Sequence, residues 1–106
     1  MISLNIIKSY RDVIAICDKE ILGKKFEEPS DSEKDIIKQL DVKENFYKGE
    51  EVTEEKAIEI MKSMVAEDAT FNIVGQKSIE AAIKAKIIGK ESVGKIKDIP
   101  FALVLL

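Results

Sequence analysis

The sequence predicts an α+β fold, a small mixed or antiparallel sheet of about four strands packed against two main helices, and three observations lead there. Apolar runs with strand character stand at both ends of the chain, in Ile2–Ile7 and Val13–Cys17 at one and Ile99–Leu106 at the other. Two stretches between them, about 53 to 66 and about 76 to 88, repeat apolar residues at the three- and four-residue spacing of a helix face. The run Phe71–Val74 changes from strand period to helix period at Gly75, and elements of both kinds in one short chain bury their apolar faces against each other. At 106 residues and 45% hydrophobic, residues 1–106 fit one domain with one core, interrupted by a polar excursion at 27–45.

Each element has a local reason. Ile2, Leu4 and Ile6 alternate with Ser3 and Asn5, as in a strand with one buried face, and Ser9–Asp12 reads as a turn. Val13–Cys17 is apolar at every position, the pattern of a central strand covered on both sides and paired to the first as a hairpin. Asp18–Gly23 reads as one helical turn closed by glycine, after which Lys24-Lys25-Phe26 starts a short extended segment beside a backbone bend. In the excursion, Ser30 or Asp31 is a candidate cap for a short, mobile helix carrying Ile36, Ile37 and Leu40. Phe46 and Tyr47 precede a turn at Gly49 and are assigned to the core in preference to base stacking.

Thr53 is a good N-cap, with Glu54 and Glu55 in the first turn where carboxylates complement the helix dipole. Ala57, Ile58, Met61, Met64 and Val65 form the buried face of that helix, its methionines acting as core fillers. The second helix carries Ile79, Ala82, Ile83 and Ile87 on one face and Lys84 and Lys86 near its end, and is expected to stop at Gly89. A short turn runs from Lys90 to Ile96. The almost wholly apolar segment Ile99–Leu106 is too short to span a bilayer and suits a buried final strand.

Composition removes several function classes. Histidine is absent, which takes away the usual general base, the Ser-His and Cys-His nucleophile pairs and the commonest transition-metal ligand. The single Cys17 cannot form an internal disulfide or a thiolate cage and is assigned to the core. Glu50-Glu51 and Glu54-Glu55 are adjacent surface carboxylates with no spacing that builds a magnesium site, and the lone Gly75 and Gly94 make no phosphate loop. No paired-carboxylate spacing marks a hydrolase. The expectation is a cytoplasmic protein that is not an enzyme, with no catalytic residues, cofactor, metal or membrane segment.

The net charge of −3 hides a division along the chain. Residues 1–26 carry five basic against three acidic groups, 27–68 carry six against fourteen, and 69–106 carry six against three. If the two positive ends pack together, one surface is basic despite the acidic total; the other reading is ordinary scatter on a Lys/Glu-rich chain. Gly75 is the best candidate site, since glycine permits close approach and the following turn exposes N–H groups; the plainer reading is a strand-to-helix joint.

The blocks Ala15–Phe26, Asn45–Gly49, Phe71–Lys77 and Ile99–Ala102 resemble, in that order and over nearly the whole chain, a small archaeal domain-of-unknown-function family, family 424, sometimes described as predicted RNA-binding proteins. Two departures stand out: the family's Val-Pro-His-Ala block reads Ile99-Pro100-Phe101-Ala102 here, and Glu27–Leu40 is longer than usual. The matching polar positions are Asp18, Lys24, Asn72, Gly75 and Gln76. The resemblance implies binding of RNA or a ribonucleoprotein, within translation. Adding basic neighbours on electrostatic grounds, the RNA-binding candidates are Lys24, Lys25, Asn72, Gly75, Gln76, Lys77 and Lys84. The competing class is a protein-interaction adaptor that sets the acidic middle segment and the helix at 53–66 against a basic translation partner.

Overall fold

The computed structural model describes residues 1–29 and 37–105. Strand β1 (Ile2–Ile7) and strand β2 (Val13–Asp18) form the expected antiparallel hairpin, with Leu4 opposite Ile16. A 3₁₀ turn over Lys19–Ile21 leads past Gly23 into β3 (Lys25–Pro29). Then come β4 (Ile37–Asp41), the single helical turn α1 (Glu44–Tyr47), β5 (Glu50–Val52) and helix α2 (Glu54–Val65). The chain closes with β6 (Thr70–Val74), helix α3 (Gln76–Lys84), a 3₁₀ turn at Lys90–Ser92, β7 (Gly94–Ile96) and β8 (Ile99–Val104).

Six strands make one mixed sheet in the order β5-β1-β2-β6-β8-β7, and β3 pairs with β4 in a separate two-stranded sheet. The pair β2–β6 is parallel and the other pairs are antiparallel. This places the carboxyl ends of β2 and β6 side by side, with Cys17 opposite Val74. On one face, Ile2, Leu4, Ile14, Ile16, Phe71 and Ile73 bury against Ala57, Met61 and Met64 of α2 and Ile79 and Ala82 of α3. On the other, Ala15, Cys17 and Val74 pack under Ile21, Val42 and Tyr47. Because β2 is covered on both faces, its apolar run needs no polar alternate. Each fully buried Ile, Val, Phe or Met side chain among them contributes about 1.5–3 kcal/mol of transfer free energy.

The α+β class therefore holds, while several local expectations do not. The helix expected to carry Ile37 and Leu40 is not there: Ile37–Asp41 is a strand, with Leu40 opposite Phe26 and Gln39 opposite Glu27. The proposed cap at Ser30 or Asp31, and Ile36, lie outside the described residues. The main sheet gains β5 and β7, each only three residues long and too short to show a period. The β7–β8 link is Lys97-Asp98, with φ of 52° and 64°, the backbone of a type I′ turn without the glycine that usually announces it.

Both long helices also end without glycine. In α3, the Ile87 N–H donates to Ala82 O and the Lys86 N–H to Ile83 O, a Schellman motif with Lys86 at φ 62°, so the helix stops before Gly89. Helix α2 ends likewise: Ala69 N–H donates to Met64 O and Asp68 N–H to Val65 O, with Asp68 at φ 57°. Val65, assigned to the buried face, is 43% exposed for that reason, sitting in the last turn. At the chain's other margin Ala102 is buried but Leu103 and Leu105 are 58% and 72% exposed, so the core stops short of the tail.

Two buried groups tie stability to pH. Burial first, and the neighbouring Asp18 and Glu20 charges second, push the Cys17 thiol from 9.0 up to about 12. Burial and then Cys17 push the Tyr47 hydroxyl from 10.0 up to about 12. Both are neutral in the folded chain at pH values where the unfolded chain has ionised them, so their stabilisation is complete below about 9 and is lost as pH rises toward about 12. Urea midpoints should fall through this window, and Tyr47→Phe should flatten the fall. A midpoint unchanged across the window would show that neither group is held neutral.

Candidate functional site

Gly75 joins β6 to α3 and has φ 108°, a conformation in which a side chain is strained. Having no side chain, it cannot cap the helix it begins. The cap comes from Asp18, about sixty residues earlier, at the end of the neighbouring parallel strand. Ser78 donates to Asp18 Oδ1 through both its backbone N–H and its hydroxyl, each at 2.8 Å. The Lys77 N–H donates to Asp18 Oδ2 at 3.1 Å. Asp18 is 4% exposed and Ser78 fully buried, so the carboxylate meets the positive end of the helix away from water. A Cβ on Gly75 would lie 2.4 Å from the Asp18 carboxyl carbon. The Gly75 N–H is occupied as well, donating to Pro100 O at 2.8 Å.

The second glycine of the resemblance is also a matter of close approach. A Cβ on Gly49 would stand 2.2 Å from Leu4 O. The contact seats α1 on β1, where Ser3 Oγ donates to Tyr47 O at 2.9 Å and accepts from the Gly49 N–H at 3.0 Å. Asn5 Nδ2 donates to Phe46 O at 2.8 Å. Tyr47 is buried and Phe46 half-buried, their rings edge to face at 5.0 Å. Beside them a cavity of about 370 Å³ is lined by Ser3, Lys19, Glu44, Lys48 and Glu51 among others, and it balances its charges. Lys19 holds the Glu51 carboxyl below its usual range, mainly by a hydrogen bond.

The seven RNA-binding candidates do not form one continuous face. Gly75, Gln76 and Lys77 stand together at the start of α3. Lys84 is in the last turn of that helix and pairs with Glu54 of α2, whose hydrogen bond raises the lysine's pKa. Asn72 is in β6 on the face away from the helices, between Ala15 and Leu103. Lys24 and Lys25 are exposed on the entry to β3. Most of the charges are compensated: Lys77 faces Glu20 at 3.8 Å, Lys25 faces Glu27 at 3.3 Å, and Gln76 Nε2 donates to Glu80 at 3.0 Å.

Another surface had little sequence signal. The end of the sheet where β1 and β8 finish and β2 and β6 begin is here called the open end. Among the described residues, five of the six exposed large apolar side chains belong to it: Ile6, Tyr10, Val65, Leu103 and Leu105; the sixth is Met1. Tyr10 is in the β1–β2 loop, tied to the start of β6 by the Thr70 N–H donating to Asp12 O at 2.9 Å. On the face away from the helices, Asn5, Ala15, Asn72 and Leu103 follow one another across four strands. Exposure gathered at one end depends on registers between distant segments, which the alternation of a single strand does not encode.

The cap makes a direct test. Asp18→Ala should cost about 2–3 kcal/mol by leaving three donors at the start of α3 unmatched, two of them buried. Gly75→Ala should cost about 1–3 kcal/mol through strain and the clash with Asp18. Because Asp18→Ala also removes that clash, the double variant should lose less than the two single losses added. Urea denaturation measures all three, and strictly additive losses would mean that the cap and the glycine are independent.

Comparison with known proteins agrees with this architecture. Among solved structures, the crystal structure of an uncharacterized conserved protein from Methanopyrus kandleri matches with a TM-score of 0.82 at 20% identity, covering 97% of this chain and 89% of that one, a likeness of fold. No curated protein matches the chain. No helix among the described residues is long and apolar enough to cross a membrane. The family model described as protein of unknown function, DUF424, matches residues 7–106, which include Asp18, Gly49 and Gly75, and the chain therefore belongs to the DUF424 family.

Proposed function

We propose that this protein is a cytoplasmic protein-interaction module rather than an enzyme, and that it docks its partner at the open end of the sheet. The observation that carries this reading is the exposure there of Ile6, Tyr10, Val65, Leu103 and Leu105, five of the six large apolar side chains exposed among the described residues. Tyr10 supplies an aromatic anchor of the kind that dominates binding energy, and Leu103 and Leu105 supply adjacent apolar area. Arg11, Asp12, Glu67 and Asp68 line a cavity of about 380 Å³ beside Tyr10, a polar rim to an apolar centre.

The reading differs from an adaptor built on the acidic middle segment, because part of that acidity is spent internally. Glu54 meets Lys84, Glu51 meets Lys19 and Glu59 meets Lys56. RNA binding, the class the family resemblance implies, would need Lys25 and Lys77 to leave Glu27 and Glu20. Such exposed pairs are worth about 0–1 kcal/mol each and exchange readily. It would also need donors at the start of α3, where the Lys77 and Ser78 N–H groups already bind Asp18. Translation remains the setting the resemblance suggests for a protein partner.

Affinity capture from cells that express the protein, with and without ribonuclease, separates the two readings. A defined protein partner should survive ribonuclease, be lost with Tyr10→Asp or Leu103→Asp, and be kept by the triple variant Lys24→Glu, Lys25→Glu, Lys77→Glu. Material that is RNA, removed by ribonuclease and by the triple variant, would overturn the proposal in favour of RNA binding.

A further inference from the structure

The helix layer ends before the sheet does. Helix α2 packs on β1 and on α3, and α3 packs on β2, β6 and β8, while β7 lies beyond them as the edge strand. A groove of about 370 Å³ runs along this step. One wall is α3, through Ile79 and Ile83; Pro100 of β8 and Lys95 of β7 lie opposite each other across the strand pair, and Val93 closes an end. The lining is thus half apolar, with Gln76, Glu80, Lys90 and Lys95 as its polar side chains.

Those two lysines are among several in this protein that keep no carboxylate partner within the described residues. Lys8, Lys19, Lys25, Lys56, Lys77 and Lys84 each have a carboxylate within ion-pair distance, whereas among the described residues Lys90 and Lys95 have none. The groove's own carboxylate, Glu80, accepts a hydrogen bond from Gln76. From Ala85 to Ile99 the chain carries Lys86, Lys90, Lys95 and Lys97 against Glu91 and Asp98, so this edge is positive on a molecule of net charge −3.

We propose that the groove between α3 and β7 binds an amphipathic helix with an acidic flank, supplied by a partner protein. A third helix laid beside α3 would continue the layer over β8 and β7, seat apolar residues spaced i, i+3, i+4 and i+7 on the half-buried Ile83 and Val93 above the buried Ile79 and Pro100, and bring carboxylates to Lys90 and Lys95. Strand addition fits less well, because β3 and β4 pack against β7 and the Lys97 N–H donates to Glu28 at 3.2 Å. RNA fits less well too, since the groove offers apolar side chains and no aromatic ring for a base to stack on. The site is separate from the open end, so the two proposals stand or fall independently.

Selection from a display library of random peptides about 16 residues long, long enough for about four helical turns, tests the proposal on the full chain. Lys90→Glu/Lys95→Glu and Ile83→Asp serve as counter-targets after circular dichroism shows that they are folded. Enriched peptides should carry Asp or Glu flanking a helical apolar stripe and bind Lys90→Glu/Lys95→Glu about tenfold or more weakly. They should bind Leu103→Asp as they bind the wild type and shift the amide resonances of Ile79, Ile83 and Val93. No enrichment over the counter-targets, enrichment of basic or unpatterned peptides, or a parallel RNA pool retained through Lys90 and Lys95 would each overturn it.

Discussion

The carboxylate of Asp18 is the contact on which the arrangement of this protein turns. A helix that follows a strand through a glycine begins with no capping side chain, and its first amide groups must find an acceptor or remain unsatisfied in the interior. Asp18 provides two oxygens at that point because β2 and β6 run parallel and end together. One residue thereby caps α3, ties its start to the end of β2 and leaves no room for a Cβ at position 75. The same acid contributes to holding Cys17, its neighbour in sequence, in the thiol form.

Pairing of distant segments also decides how the surface looks electrostatically. Counted along the chain, residues 1–26 and 69–106 are positive and the middle is strongly negative. Folding sets several of these against one another: Glu20 of the first segment meets Lys77 of the last, and Glu54 of the middle meets Lys84. The edge at β7 keeps Lys90 and Lys95 without a carboxylate partner among the described residues, and the open end keeps apolar side chains in water. Long-range compensation thus moves attention from the lysines picked out by charge counting to surfaces defined by what the fold leaves uncovered.

Motifs shared with a family read differently once their contacts are visible. Asp18 and Gly75, which in sequence look like a polar residue and a flexible joint near a binding site, are two halves of one helix cap. Gly49, behind its two aromatics, marks a backbone approach to Leu4 that admits no Cβ. Asn72 keeps partial exposure on the face away from the helices, beside Leu103, and is the one candidate that adjoins the open end. Shared residues record constraints of folding as readily as contacts with a ligand.

The sequence by itself determined the elements whose information is local. Alternation in Ile2–Ile7, the all-apolar run of Val13–Cys17, the Thr53 cap before α2 and the period change at Gly75 each arise from neighbours within a few residues, and each appears at its expected place. Tertiary structure alone decided the rest. Strands β5 and β7 exist because β1 and β8 offer them hydrogen-bonding edges; Asp68, Lys86, Lys97 and Asp98 take positive φ where tertiary packing holds turns that glycine usually marks. Ile37–Asp41 pairs with β3 although its residues also fit a helical stripe. Periodicity reports which side of an element is apolar, but which distant segment meets that side is set by the joint packing of all of them, and the cap, the lysine partners and both candidate docking surfaces follow from that packing.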